Sequence, residues 1–283
     1  MSDFETIRYE QPHARVARIV LDRPESRNAQ SKRMTYELNA AFDRAAGDDE
    51  VRVIILAGDG PHFSSGHDLR DTSMGEHFPT VGTWSGTGLP GAEGYMAHEE
   101  EIYLGMCWRW RNIPKPTIAA TQGKAIAGAL MLLWICDLIV ASDDALFADP
   151  TLAMGVNGVE YFAHPWELGP RRAKEFLFTG DWLTARDAYE LGMINRIVPR
   201  EELEAHTLEL AMRIAEKPSF ALKLAKESVN QTLDAQGQWT AFRAAFSIHQ
   251  LSHGHNRELF NLPIDPGGFN VRPADSTEKR PWA

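Results

Sequence analysis

The chain has 283 residues, 43% of them hydrophobic and 24% charged, which supports a real core and excludes a mainly disordered, collagenous or coiled-coil polypeptide. A formal charge of -10 at pH 7, with no concentrated basic patch, argues against nucleic acid as the partner. Two cysteines, Cys107 and Cys136, offer neither a disulfide framework nor a zinc knuckle, and the polar start MSDFETIRYE lacks a secretory apolar segment, so a cytoplasmic setting is expected.

Residues 14–21 alternate apolar and polar side chains before Arg23 and Pro24, which predicts a strand ending in a turn. Ser31 is placed to cap a helix over 31–46, where Met34, Leu38, Ala41, Phe42 and Ala45 form one inward stripe, and Gly47 closes it. VRVIILA at 51–57 reads as a buried strand and 58–66 as a turn. The segment 71–94 carries six glycines and two prolines and reads as a mobile loop able to order over a ligand. Trp108, Arg109, Trp110 and Arg111 predict an amphipathic helix that buries its tryptophans and exposes its arginines, rather than a base-stacking surface.

A second block repeats the first: a strand at 117–120, a glycine-punctuated turn at 123–129, an apolar helix over 130–136 and a strand at 137–142. The longest apolar run, 125–136, is too short to span a bilayer, so no membrane partner is expected. Beyond Pro170 the pattern predicts helices over 171–179, 184–191, 201–216, 220–235 and 238–251. The polar, proline-bearing stretch 263–283 reads as a tail, loosely ordered or laid on a neighbour.

Two glycine-rich strand exits carry the chemistry: Phe63 to Leu69 (FSSGHDL) and Gly123 to Leu130 (GKAIAGAL). Each sets backbone N–H groups beside a forming helix, and two such donors converging on one point make an oxyanion hole. Losing one donor of that kind costs about 3 to 4 kcal/mol of transition-state stabilisation. Other classes fit less well. His98 and Glu99 lack a second histidine at zincin spacing, and neither a Gly-x-Ser-x-Gly elbow nor a phosphate-binding Gly-x-x-x-x-Gly-Lys-Ser/Thr occurs. His249, His253 and His255 could meet a metal across one helical turn, but no acidic neighbour supports catalysis there, and no metal site is expected.

These exits, together with Leu21-Asp22-Arg23-Pro24, Asn28-Ala29, IPKPTIAA at 113–120, Cys136-Asp137 and LGMIN at 191–195, stand in the order and spacing of one family. The chain resembles the enoyl-CoA hydratase/isomerase (crotonase) superfamily from about 14 to 231. The resemblance implies an α/β fold: a crotonase-like spiral of ββα units over 1–200, then a C-terminal helical trimerisation region over 201–262. It implies a homotrimer or hexamer, with Phe242, Phe246, Leu251 and Phe260 available to an interface. It implies an acyl-CoA thioester as substrate, with coenzyme A as part of the substrate rather than a separate cofactor, and an enolate-like intermediate. Carried over by position, the N–H groups of His67 and Gly128 form the oxyanion hole. The backbone at Ser65, His67 and Leu69 receives the adenine end, and Ser26 and Arg27 lie near the pantetheine and phosphates.

The family's two hydratase glutamates correspond here to Met131 and Thr151, neither of which transfers a proton at neutral pH. Hydration needs a base for the water and an acid for the α-carbon, whereas moving a double bond needs one shuttling group. Glu160, on a helix expected to begin near Gly158, is the replacement candidate, with a raised pKa if buried; its alternative is a helix-terminus decoration. Asp149 is the second candidate, although before Pro150 it also suits a turn. His98 is a third, and the His67 ring reads as an exposed loop side chain. The activity expected is therefore isomerase-like, and the rival is an acyl-CoA-binding homologue with little turnover or another thioester reaction, such as hydrolysis or C–C cleavage.

Overall fold

The computed structural model describes residues 4–271. In chain order the elements are β1 (Ile7–His13), β2 (Val16–Leu21), α1 (Lys32–Gly47), β3 (Val53–Gly58), α2 (Gly91–Glu99), a π turn (Glu100–Gly105) and α3 (Met106–Arg111). There follow β4 (Thr117–Thr121), β5 (Lys124–Ile126), α4 (Gly128–Trp134), β6 (Leu138–Ser142), β7 (Leu146–Ala148), α5 (His164–Leu168) and α6 (Pro170–Thr179). The chain continues with β8 (Leu183–Thr184), α7 (Ala185–Leu191), β9 (Arg196–Val198), α8 (Leu203–Ala215), α9 (Ser219–Ala235) and α10 (Gln238–Phe260).

Six strands form one sheet in the order β1-β2-β3-β4-β6-β9, parallel except for the first pair. A second, small sheet runs β5-β7-β8. Isolated bridges between Gln30 and His67 and between Ser64 and Ala125 extend it to the earlier turns of the chain. Each turn of the spiral thus leaves the large sheet, touches the small one and returns, which is the ββα repeat of a crotonase-like fold.

The large sheet is covered on both faces, so its strands are apolar almost throughout. Val53 and Ile55 of β3 pack with Leu203, Leu210 and Ala211 of α8, while Ile54 and Leu56 face Phe42, Phe63 and Trp110 on the opposite side. The polar start hides an edge strand, β1, where charged Arg8 and Glu10 alternate along an exposed sheet margin. Ser31 caps α1 by accepting from the N–H of Met34 at 3.1 Å. Ser31→Ala should lower stability by about 1 kcal/mol in urea unfolding, the usual cost of losing a cap; an unchanged midpoint would contradict that role.

Several expectations are corrected. Residues 71–94 follow an irregular path, but the last four begin α2, and the segment is tethered: Lys32 donates to the carbonyl of Glu76, Phe78 stacks on Tyr36 at 4.6 Å, and Glu101 accepts from the N–H groups of Val81 and Gly82. Arg109 is exposed, but Arg111 is buried, stacked on Trp108 and bonded to Gln238 at 2.7 Å. Phe242 and Phe246 are core residues and unavailable to a partner, whereas Leu251 is 72% exposed. The described part of the tail is docked, with the Asp265 N–H on the carbonyl of Met154 at 2.8 Å; residues 272–283 of that tail lie outside the described residues. No helix among the described residues is long and apolar enough to cross a membrane.

Candidate active site

One side chain joins the first turn of the spiral to the second. Buried Asn28, at φ 52, donates from Nδ2 to the carbonyls of Asp59, His62 and Phe63 at 2.9, 3.1 and 3.0 Å, and accepts from the N–H of Arg23. This holds the turn after β3 in place. Gly66, at φ 86, then passes so close to the next turn that a Cβ would sit 2.5 Å from the carbonyl oxygen of Ile126 and 3.1 Å from the nitrogen of Gly128. Only glycine permits that approach. Ala127, a non-glycine residue at φ 48, turns the chain into α4 at a strain of roughly 1 to 3 kcal/mol.

His67 and Gly128 are brought together as expected. The His67 ring lies against Gly128, where an added Cβ would be 2.5 Å from its Cδ2 and Nε2 atoms. Among the described residues, neither the His67 N–H nor the Gly128 N–H has a hydrogen-bond acceptor. The ring is not exposed: it stacks on Tyr103 with centroids 3.8 Å apart, and burial lowers its pKa to about 4.

His67 and Tyr103, with Ile126 and Ala127 just before Gly128, border a cleft of about 640 Å³ that is also lined by Ser65, Leu69, Tyr95, Glu99, Glu160 and His249. The Ser65 N–H is already committed to the carbonyl of Arg27 at 2.9 Å. Ser26 and Arg27 do not line the cleft; their side of the turn instead supports Ser65 from behind.

Glu160 reaches the cleft from an irregular segment, not a helix; α5 begins only at His164. It is 3% exposed, and its Oε2 has no hydrogen-bond partner. That atom is 3.7 Å from Nε2 of His67, and its Oε1 is 3.7 Å from Nε2 of His249. Burial first, and the charge of Glu99 second, push its carboxyl well above the usual carboxylate range. Such a group is a neutral acid that, once ionised, is a strengthened base.

The other sequence candidates separate from it. Asp149 is fully buried outside the cleft lining, bonded to Nε2 of His164 at 2.8 Å and to the hydroxyl of Thr151 at 2.6 Å. Met131 is buried with its sulfur near the Tyr161 N–H, so neither hydratase-glutamate position supplies an acid. His98 lines the cleft, with Nε2 unpartnered and its pKa lowered by burial. Exposed His255 stands apart, but His249 and His253 are buried beside Glu99, an acidic neighbour that comes from α2 rather than from the adjacent sequence. Tyr95, Glu99 and Tyr103 carried no motif, and helical spacing of four was the only signal that they share a face.

A ββα spiral whose two glycine exits meet at a cleft lined by the buried acids Glu99 and Glu160 is the architecture of a crotonase-type protein. The enoyl-CoA hydratase/isomerase family profile matches residues 11–257, and the chain belongs to that family. EchA13 of Mycobacterium tuberculosis, which carries an enoyl-CoA hydratase name, is 48% identical over 265 residues, covering 91% of this chain and 83% of its own. A 4-chlorobenzoyl coenzyme A dehalogenase of Arthrobacter is 31% identical, covering 76% of this chain and 75% of its own. A crystal structure of a probable enoyl-CoA hydratase from Mycobacterium smegmatis superposes with a TM-score of 0.83 at 50% identity, covering 91% of this chain and 98% of its own.

Proposed function

We propose that this chain acts on an acyl-CoA thioester through an enolate, with the N–H groups of His67 and Gly128 as oxyanion hole and Glu160 as proton shuttle. The observation that supports this reading is the buried Glu160 carboxyl whose unpartnered Oε2 faces the His67 ring, with both backbone donors free of protein acceptors. In a double-bond shift, ionised Glu160 removes a proton from the carbon next to the thioester carbonyl. The electron pair moves onto the carbonyl oxygen, where the two N–H groups meet it. The same proton then returns to the far carbon of the former double bond, and no water is consumed. One carboxyl suffices for this, and two are needed to add water.

In the same reading, coenzyme A enters as part of the substrate, its adenine end on the backbone of Ser65, His67 and Leu69, with Ser26 and Arg27 behind Ser65 rather than in the cleft. Assembly as a trimer or hexamer is supported by apolar side chains left exposed on α9 and α10, among them Phe220, Val229 and Leu251. A cytoplasmic setting is proposed from the two free cysteines. Another coenzyme A thioester reaction is the second reading, favoured by the loss of both glutamate positions to Met131 and Thr151.

Turnover of matched 2-enoyl and 3-enoyl thioesters of several chain lengths tests the proposal, the expected product being the shifted isomer. Failure of calorimetry to detect binding of any coenzyme A thioester would overturn both readings. Gly128→Ala places a methyl group against the His67 ring, and turnover should fall roughly 100-fold, the scale of one spoiled oxyanion donor. Undiminished turnover would remove Gly128 from the site.

A further inference from the structure

His249 and His253 stand one helical turn apart on α10, and their hydrogen bonds decide which nitrogen carries each proton. Nδ1 of His249 lies 2.9 Å from the carbonyl oxygen of Gly158, and Nδ1 of His253 lies 2.5 Å from that of Pro263. A carbonyl only accepts, so both Nδ1 atoms bear hydrogen. Each neutral ring then offers a lone pair at Nε2, and these two atoms are 2.8 Å apart. Two lone pairs facing at that distance repel unless a cation holds them.

From this geometry we infer that Glu99, His249 and His253 form a site for one divalent transition-metal ion of the zinc class, with a coordination position left open to the cleft. All three side chains are buried, and the candidate ligand atoms lie within 4.8 Å of one another. Oε1 of Glu99 is 3.4 Å from Nε2 of His253, and its Oε2 is 3.6 Å from Nε2 of His249. Ligand atoms around a tetrahedral zinc ion are spaced by roughly 3.3 to 3.5 Å, so the edge between Glu99 Oε1 and His253 already fits. On binding, the 2.8 Å edge between the two Nε2 atoms opens by about 0.5 Å and a small rotation of the carboxylate brings one oxygen within reach of both rings. A shared proton would bridge only the two nitrogens and would leave the Glu99 carboxylate 3.4 and 3.6 Å from the two rings without engaging either.

The surroundings are those of a metal centre. Both imidazoles donate Nδ1–H to a backbone carbonyl, which fixes the ring and leaves Nε2 as ligand. The Gln250 amide donates to Oε2 of Glu99 at 2.5 Å and fixes the carboxylate. Two imidazoles and one carboxylate are a three-ligand set that keeps a fourth position for water. Glu160 Oε1, 3.7 Å from Nε2 of His249, borders that position, and Tyr95 and His67 close the neighbouring wall.

The test is calorimetric titration of the chelator-stripped full chain with Zn²⁺, alongside His249→Gln, His253→Gln and Glu99→Gln and the control His255→Gln. One Zn²⁺ per chain is expected for wild type and control, with a raised melting temperature, and at least roughly 100-fold weaker binding in the three cluster variants. Absence of saturable binding, or binding undiminished in all three, would overturn the site and leave a proton as the shared cation. Where a variant fails to fold, Co²⁺ on the wild-type chain decides. Intense tetrahedral d–d absorption supports the assignment, and a weak octahedral spectrum overturns it. Both readouts are independent of thioester turnover, so the site stands or falls apart from the role proposed for Glu160.

Discussion

Glu160→Gln should leave thioester affinity nearly unchanged while turnover falls roughly 100-fold or more, the scale of general acid/base catalysis. The amide keeps the volume and hydrogen-bonding shape of the carboxyl, so binding survives, but it cannot accept a carbon-bound proton. Burial and the charge of Glu99 raise the Glu160 pKa, so the ionised base is scarce at low pH. The sign follows: wild-type turnover rises with pH through a pKa above the ordinary carboxylate range, and this rise vanishes in the variant. Steady-state kinetics across pH, with binding measured separately, checks both parts. A variant that keeps full turnover would return the role to His98, which also borders the cleft.

Asp149→Ala should destabilise the fold by roughly 2 to 4 kcal/mol, because it leaves the buried His164 ring and the Thr151 groups without the acceptor they share. Both Asp149 and His164 side chains are fully shielded, and His164 already has Nδ1 without a partner. The truncation also strips the Thr151 N–H and hydroxyl of their shared acceptor. Burial alone would raise the Asp149 pKa, but the His164 and Thr151 bonds outweigh it and hold the carboxyl below its usual range. Its contribution is therefore present above the unfolded-state pKa near ~3.9 and lost as pH falls through the lower folded value. Urea unfolding at neutral pH and again in acid should show the gap between wild type and variant narrowing in acid. A loss below about 1 kcal/mol at neutral pH would contradict this hydrogen-bonded role.

The spiral was legible where local pattern sufficed. Ser31 and the Met34 to Ala45 stripe announced α1, and Val53 to Leu56 announced a strand covered on both faces. The edge strand β1 escaped because charged side chains at a sheet margin lack apolar alternation, and β5, β7 and β8, of two or three residues, are too short for any period to show. The site divides in the same way. Gly66, His67, Gly128 and Glu160 lay near recognisable segments. Glu99, His249 and His253 did not, since a Gln250–Glu99 bond spans 151 positions and nothing in either local stretch encodes the other. Arg111 was misjudged for a related reason: its burial depends on Trp108, Gln238 and Asp234, two of them contributed by a much later part of the chain.

The docked start of the tail has a consequence for biosynthesis. Pro263 and Ile264 line the cleft, and the Pro263 carbonyl also receives His253 and Asn256. A nascent chain grows at roughly 5 to 20 residues per second and folds from its N-terminal side, so the spiral that carries His67, Gly128 and Glu160 emerges well before its last wall. The cleft therefore lacks that wall until residue 264 has left the ribosome, and an unfinished copy presents the same side chains to solvent on one more side.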